Sequence, residues 1–412
     1  MALGIGLSGV QAAQTDIDTI GNNIANVDTD GFKSSQANFA NVVASSLSGA
    51  SSTTASQGEG VNTSSVTQQF TEGTVNQTSN PLDVAINGSG LFELQTSTGI
   101  AYGRNGAFQI DSNGFIVSDT GAQLMGYAGA SGAALGAPQP LQVDKSNIAP
   151  VATSSLTLDV NLPATDAPID TVANPFSISN AASYNEATET TVYDSLGVGE
   201  NLTTYYTQVS GSGTPNQWQV NWALTSSSGT VLASGAGPTL TFNSAGQLVS
   251  GGGAIGPITL ADGSAPLNIN LQYTGSTLSN VAFGVNSLTN NGNGGGQYTG
   301  VQFSQNGQVV AQYSNGATKV LGTIALANFA NVQGLQQISN NLWVATQSSG
   351  QAILGVPGSS GLGLLQPSAL EGSNVDLSTQ LVNLIVAQQA YQANVQGINV
   401  DQQDVQKLLT LQ

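Results

Sequence analysis

Apolar side chains recur every seven residues at the start of the chain. Leu3, Val10, Ile17 and Ile24 share one position of the repeat, and Ala13, Ile20 and Val27 follow three residues after the last three. Spacings of three and four put both sets on one stripe, so the segment predicts an α-helix with a coiled-coil seam. It would run for about 25 residues, or about 40 Å at 1.5 Å per residue, until Asp28-Thr29-Asp30-Gly31 interrupts it. The other end answers with Leu381, Gln388, Val395, Gln402 and Leu409 at one heptad position and Leu377, Leu384, Tyr391, Ile398 and Val405 at the other. Ser373, three residues before Asp376, reads as a capping box opening a helix of about 38 residues, up to about 55 Å long. Gly397 lies inside it, at a cost of about 1 kcal/mol relative to Ala.

Between these ends the period changes from seven to two. Leu156, Leu158, Val160 and Leu162 alternate, as do Trp218, Val220, Trp222 and Leu224, which predicts short half-buried strands. Two hairpins are readable. Phe108 and Ile110 lead through Asp111-Ser112-Asn113-Gly114 to Phe115 and Val117, and Leu240 and Phe242 lead through Asn243-Ser244-Ala245-Gly246 to Leu248. Trp218 and Trp222 share a strand face, where packing in a core is the simpler reading than a sugar platform.

Low-complexity stretches at Ser45 to Gly60, Gly129 to Pro140 and Asn290 to Gly296 punctuate the pattern. The predicted fold is therefore multidomain and mainly β with terminal α-helices. Residues 1–40 and 370–412 form an inner helical, coiled-coil-like domain, and 41–75 connect it onward. Residues 76–144 with 286–369 make a middle β domain, into which 145–285 insert an outer β domain.

Composition narrows the chemistry. Hydrophobic residues are 39% of the 412, enough for real cores, but charged residues are only 7% and the formal net charge is −18. The cations are Lys33, Arg104, Lys145, Lys319 and Lys407 alone. Five scattered cations cannot neutralise a phosphate backbone, so nucleic acid and anionic membranes are poor partners, and neither nucleic-acid binding nor membrane insertion is expected. With neither Cys nor His, disulfide frameworks, thiolate nucleophiles, His-based zinc sites and Ser-His-Asp arrangements are excluded as well. No cofactor or enzymatic activity is expected. Met1 to Val10 lacks the basic and apolar regions of a removable secretory signal, and no apolar run approaches a membrane span.

The remaining motifs are weak as sites. Asn26-Val27-Asp28-Thr29-Asp30-Gly31 resembles the opening of an EF-hand loop, but its twelfth position is Ala37 where a bidentate carboxylate is needed, so a helix-ending turn is the better reading. The Gly-rich stretch Asn290 to Gly296 has neither the Asp of a calcium β-roll nor the Lys of a phosphate loop. Asp16 with Asp18, and Glu186 with Glu189, read as solvated surface rather than a glycosidase pair.

Met1 to Lys33, with Gly9-Val10-Gln11-Ala12-Ala13-Gln14, Asn22-Asn23-Ile24-Ala25-Asn26 and Gly31-Phe32-Lys33, resembles the N-terminal signature of the flagellar rod and hook axial protein family. Asn80 to Ile86, Tyr102 to Phe108, Leu326 to Phe329, Ala345 to Gly350, Ser373-Asn374-Val375-Asp376-Leu377 and Ala390 to Asn394 resemble its later blocks. Thr191 to Gly197 resembles the opening of the outer domain carried by the hook branch.

The resemblance implies a structural subunit that polymerises helically into a curved hollow tube, a universal joint carrying motor torque from rod to filament. It implies an extracellular place in the flagellum, reached through the flagellar type III export apparatus without a cleaved signal. The implied partners are further copies of the chain, the distal rod protein, the hook cap protein, the hook-filament junction protein and the hook-length control protein. The seam residues are the expected self-assembly site, with Asn22, Asn23, Asn26, Gly31, Phe32, Asn374 and Asp376 as the family motif. A straight distal rod protein and a secreted β-rich adhesin with trimerising stalks are the alternatives.

Overall fold

The computed structural model of the protein describes residues 2–43, 58–129, 136–209 and 216–410, so most of the Ser45 to Gly60 stretch and part of Gly129 to Pro140 lie outside the described residues. Two compact units divide the chain: residues 1–144, 300–311 and 319–412 in one, and 145–299 with 312–318 in the other. The second unit extends beyond the residue 285 expected as its end. The reason is the strand Gly284–Asn290, which pairs antiparallel with Ser155–Pro163. The first unit holds together the terminal helices, the connecting segment and the β strands that the sequence reading separates.

In the first unit, α1 spans Ala2–Ala25. It stops where Gly31 takes a φ of +69° and donates its N–H to the Glu371 carbonyl at 2.7 Å. A Cβ on Gly31 would lie 2.5 Å from the Asn105 nitrogen, which is backbone and cannot swing aside. Gly31→Ala is therefore expected to cost this unit at least about 1–3 kcal/mol from strain alone. Thermal unfolding measures this, and a loss under about 0.5 kcal/mol, ordinary for a surface change, would show that the turn can move.

After the turn, Ser35–Val43 pairs antiparallel with Gly58–Gln68, and α1 packs on both strands. The β framework beyond draws on chain from both sides of the insertion. Leu91–Thr96 lies between Gly99–Gly103 and Gln123–Ala128, while Leu342–Val344 pairs with Gly99–Gly103 and Leu326–Asn328 with Leu91–Thr96. Leu364–Pro367 pairs with Val84–Asn87, and Ala369–Glu371 with Val75–Gln77. The alternation buries Ile86, Phe92, Leu94, Ile116, Leu124 and Ile324 almost completely. The Asp111 hairpin forms as its residues suggest: Asp111 Oδ1 accepts N–H groups from Asn113 and Phe115, and Phe108–Ile110 pairs with Ile116–Ser118.

The chain closes with α2, Leu377–Thr410. Its start corrects the capping-box reading. Asp376 is itself the cap, its Oδ1 accepting the Thr379 N–H at 2.8 Å, while Ser373 Oγ accepts only from Val375 N–H at 3.3 Å.

The inserted unit is a sandwich of two five-stranded sheets. One is an antiparallel meander of Glu186–Tyr193, Gly199–Gln208, Gln217–Thr225, Val231–Phe242 and Leu248–Ser250. The other centres on Ser155–Pro163, with Gly253–Ile258, Leu267–Gln272, Thr277–Ser279 and Gly284–Asn290. Both inner faces supply one core: Leu156, Leu158, Val160 and Leu162 meet Trp218, Val220, Trp222 and Leu240. Both tryptophans of the paired motif are core residues, Trp218 fully buried and Trp222 7% exposed.

Candidate self-assembly site

α1 and α2 run antiparallel, and small residues set how closely they approach. A Cβ on Gly6 would lie 2.7 Å from Ile398 Cγ1, and one on Gly9 would lie 2.7 Å from Asn394 Oδ1. At the other end of the pair Asn23 Nδ2 donates to Gln380 Oε1 at 3.4 Å. Ala12, Ala13 and Ile20 are buried on α1, and Val10, Ile17, Ile24 and Val27 are half-buried.

On α2 the inward stripe is Leu384, Ala387, Tyr391, Asn394, Ile398 and Asp401, with Ala387 only 3% exposed. Within the chain this stripe coincides with only part of the seam read from the heptads. The stripe keeps Leu384, Tyr391 and Ile398 and adds Ala387 and Asn394, with Ile398 lying against Gly6 and Asn394 against Gly9. Val395 remains half-buried at the margin, while Gln388 and Gln402 face outward. Leu377, Leu381 and Val405 are exposed, and Leu381 joins Val382, Ile385 and Val386 in an apolar patch left uncovered by the described residues, each 45–60% exposed. The side chains of Leu3 and Leu409 lie outside the described residues.

The family motif ties this helix pair to the β framework. Asn23, 1% exposed, clasps Ser35 at both backbone atoms, accepting its N–H and donating to its carbonyl at 2.8 Å each. Asn374 Oδ1 accepts the Ser34 N–H at 2.7 Å, and its Nδ2 donates to the Gln69 carbonyl at 2.7 Å. Phe32 is buried. Asn26 caps the end of α1 by donating its Nδ2 to the Asn22 carbonyl at 2.9 Å, its Oδ1 accepting from the Thr29 hydroxyl, and the Asn22 side chain is exposed.

Beneath them lies a buried charge node that the sequence reading missed. Lys33 Nζ and Arg104 Nε each reach one oxygen of Glu371 at 2.6 Å, with all three side chains 6% exposed or less. Thr71 O accepts from Lys33, the Gly73 N–H donates to Glu371 Oε1, and the Arg104 guanidinium also donates to the carbonyls of Ile86, Gly88 and Gly90. Burial alone would push the Glu371 carboxyl up, but Arg104, Lys33 and the Gly73 N–H outweigh it and hold the group below its ordinary 4.5. Burial pulls the Lys33 ammonium down against the attraction of Glu371. The available signal was scarcity: two of the five cations, Lys33 and Arg104, stand inside the blocks that carry the family resemblance.

Family profiles match along the chain: "Flagella basal body rod protein" at residues 3–33, "Flagellar hook protein FlgE/F/G D1 domain" at 85–180, "Flagellar basal body protein FlaE D2 domain" at 161–293 and "Flagellar basal body rod FlgEFG protein C-terminal" at 366–411. They define an axial protein of the bacterial flagellum. The flagellar hook protein FlgE of Escherichia coli K12 is 40% identical over 100% of both chains, and that of Borreliella burgdorferi is 31% identical over 98% of both. The chain belongs to the flagellar hook protein FlgE family. The crystal structure of Helicobacter pylori flagellar hook protein FlgE2 shares its fold at a TM-score of 0.54 and 14% identity, over 72% of this chain and 100% of the other.

Proposed function

We propose that the chain polymerises, by repeated contacts that do not close into a ring, into the curved hollow flagellar hook. It is a structural hook subunit of the extracellular flagellum, as its family membership over the full length of both chains establishes. The observation that carries the mode of assembly is the exposed apolar patch Leu381, Val382, Ile385 and Val386 on α2, uncovered by the described residues. A patch of this kind costs solubility in a lone subunit and gains burial in a polymer. In this reading α1 and α2 supply the innermost contacts of the tube, and the inserted unit supplies the outer contacts that slide as the tube bends. The polar, weakly charged surface of that unit suits sliding better than fixed ion pairs would. The rod, cap, junction, length-control and export components are the partners such a subunit meets.

Electron microscopy of assembled chains tests the reading: curved tubes of uniform width are expected, whereas short straight rods or discrete soluble oligomers would point to the two alternatives. Replacing 145–299 by a short Gly/Ser linker is expected to leave tubes that form but are straighter. Absence of tubes, or tubes of parental curvature, would count against an outer role for the inserted unit.

A further inference from the structure

An apolar patch needs a surface to receive it, and the α2 patch paired with its own copy would give a closed two-fold dimer instead of a tube. A different surface is required. The helix-bearing unit has one between α1, α2 and the strands Ser35–Val43 and Gly58–Gln68. There the described residues leave open a groove of about 460 Å³, lined by Ile5, Ala12, Ala13, Phe39, Val61 and Ala390 among others. More than half of its lining residues are Ala or Gly, which leaves room for the larger side chains of the patch. Ile5 and Phe39 on its walls are 40% and 42% exposed. The walls are tied in place, since the Val61 N–H donates to Ser8 Oγ at 3.2 Å and Asn23 clasps Ser35. A groove held in this way needs little ordering on binding.

The occupant follows from topology and charge. At about 100° per residue, or 3.6 residues per turn, the patch centres about 140° around α2 from the groove-lining Ala387, Ala390 and Asn394. Patch and groove thus face nearly opposite ways on one rigid helix, so a copy cannot fill its own groove. It can give its patch to one neighbour and its groove to another, and that contact repeats without closing on itself. The chain carries −18, so a second copy is opposed wherever acids meet. Leu377 to Val400, the segment that bears the patch, contains no charged residue. The groove contains one, the half-buried Asp16. A neutral helix face enters beside that carboxylate without repulsion.

We propose that this groove is the receptor for the α2 patch of a second copy, with Ile385 at the patch centre brought close to Asp16. The inference rests on assembly through the α2 patch and adds the surface that the patch meets.

A charge-reversal cycle in the full-length chain tests it, with the concentration needed for polymerisation read by sedimentation at neutral pH. Ile385→Lys puts a cation on a flexible stem within reach of Asp16, whereas Ile385→Asp puts a second anion there. Ile385→Lys is expected to polymerise at a concentration at least about tenfold lower than Ile385→Asp, the low end of the coupling found for close interfacial charge pairs. Adding Asp16→Asn should then act with opposite signs. It should raise the concentration needed by Ile385→Lys about tenfold, through loss of that same coupling, and restore some assembly to Ile385→Asp by removing the repulsion. A change of net charge or of α1 stability would move both backgrounds the same way, so the reversal reports proximity. Asp18→Asn, an exposed acid on α1 outside the groove, is expected to leave Ile385→Lys unchanged.

Asp16→Asn acting with one sign in both backgrounds overturns the proposal. So does an equal effect from Asp18→Asn, or a failure of Ile385→Lys to assemble better than Ile385→Asp. In each of these cases the parent chain still forms tubes and Ile385→Asp does not, so the α2 patch stands and the groove alone is refuted. Normal tubes from Ile385→Asp, or none from the parent chain, would refute assembly through the patch and the groove with it.

Discussion

Glu371→Gln is expected to cost the helix-bearing unit about 3–5 kcal/mol, because Lys33 and Arg104 would remain buried without their counterion. Hydrogen exchange resolved by segment is the suitable measurement. Strands between 84 and 128 should lose protection by two to three orders of magnitude, at about 1.4 kcal/mol for each tenfold, while 155–290 keep theirs. Pairing the substitution with Lys33→Met should recover part of the loss, since the uncompensated charge is what costs most. Unchanged protection in the single variant would show that the node contributes little. The same carboxylate gives a pH dependence of definite sign. Its folded value lies below its ordinary 4.5, so its contribution is fully present above about pH 4.5 and is lost as pH falls through the lower folded value.

Ile385→Asp is expected to abolish polymerisation while leaving the monomer folded. Ile385 is 53% exposed at the centre of the α2 patch, so the charge stays solvated in the free subunit and should change its stability by about 0.5 kcal/mol or less. In a polymer the same charge would be buried unpaired, at several kcal/mol for every copy. Sedimentation and electron microscopy read the result. Normal tubes from Ile385→Asp would move the contact surface elsewhere. Leu384→Asp, on the inward stripe, is expected instead to loosen α1 from α2 within the chain before assembly is tested.

The difference between these neighbouring residues marks what was legible in the sequence. Heptad counting finds both helices, and two-residue alternation finds Ser155–Pro163 and Gln217–Thr225, because large apolar side chains announce a buried face. The inward stripe of α2 departs from the heptad count because it includes Ala387 and Asn394, whose short or polar side chains carry no hydrophobic signal of their own. Asp111 and Asn243 reveal their turns because each side chain bonds backbone within four residues. Lys33 and Glu371 are 338 residues apart, and nothing local to either names the other. Gly284–Asn290 straddles the domain boundary expected at residue 285, because its alternation is too weak to show which sheet it joins. Pairing with Ser155–Pro163 makes it a strand, and that pairing is decided far away in the chain.

The long span between partners has a consequence for the order in which the chain can fold. Strands near residues 75–103 find their neighbours at 342–371, so a chain delivered from its N-terminus, by a ribosome or through a narrow conduit, holds the first half of this unit without its partners until almost the last residues arrive. Residues 145–299 contain nearly all of the inserted sandwich and can close earlier. Contacts this remote in sequence also form slowly, since the closing of large loops precedes any gain from pairing. The subunit therefore has a built-in delay: the unit bearing α1 and α2 is the last to become competent, and premature association through a finished helix pair is held off for as long as the C-terminal segment is still in transit.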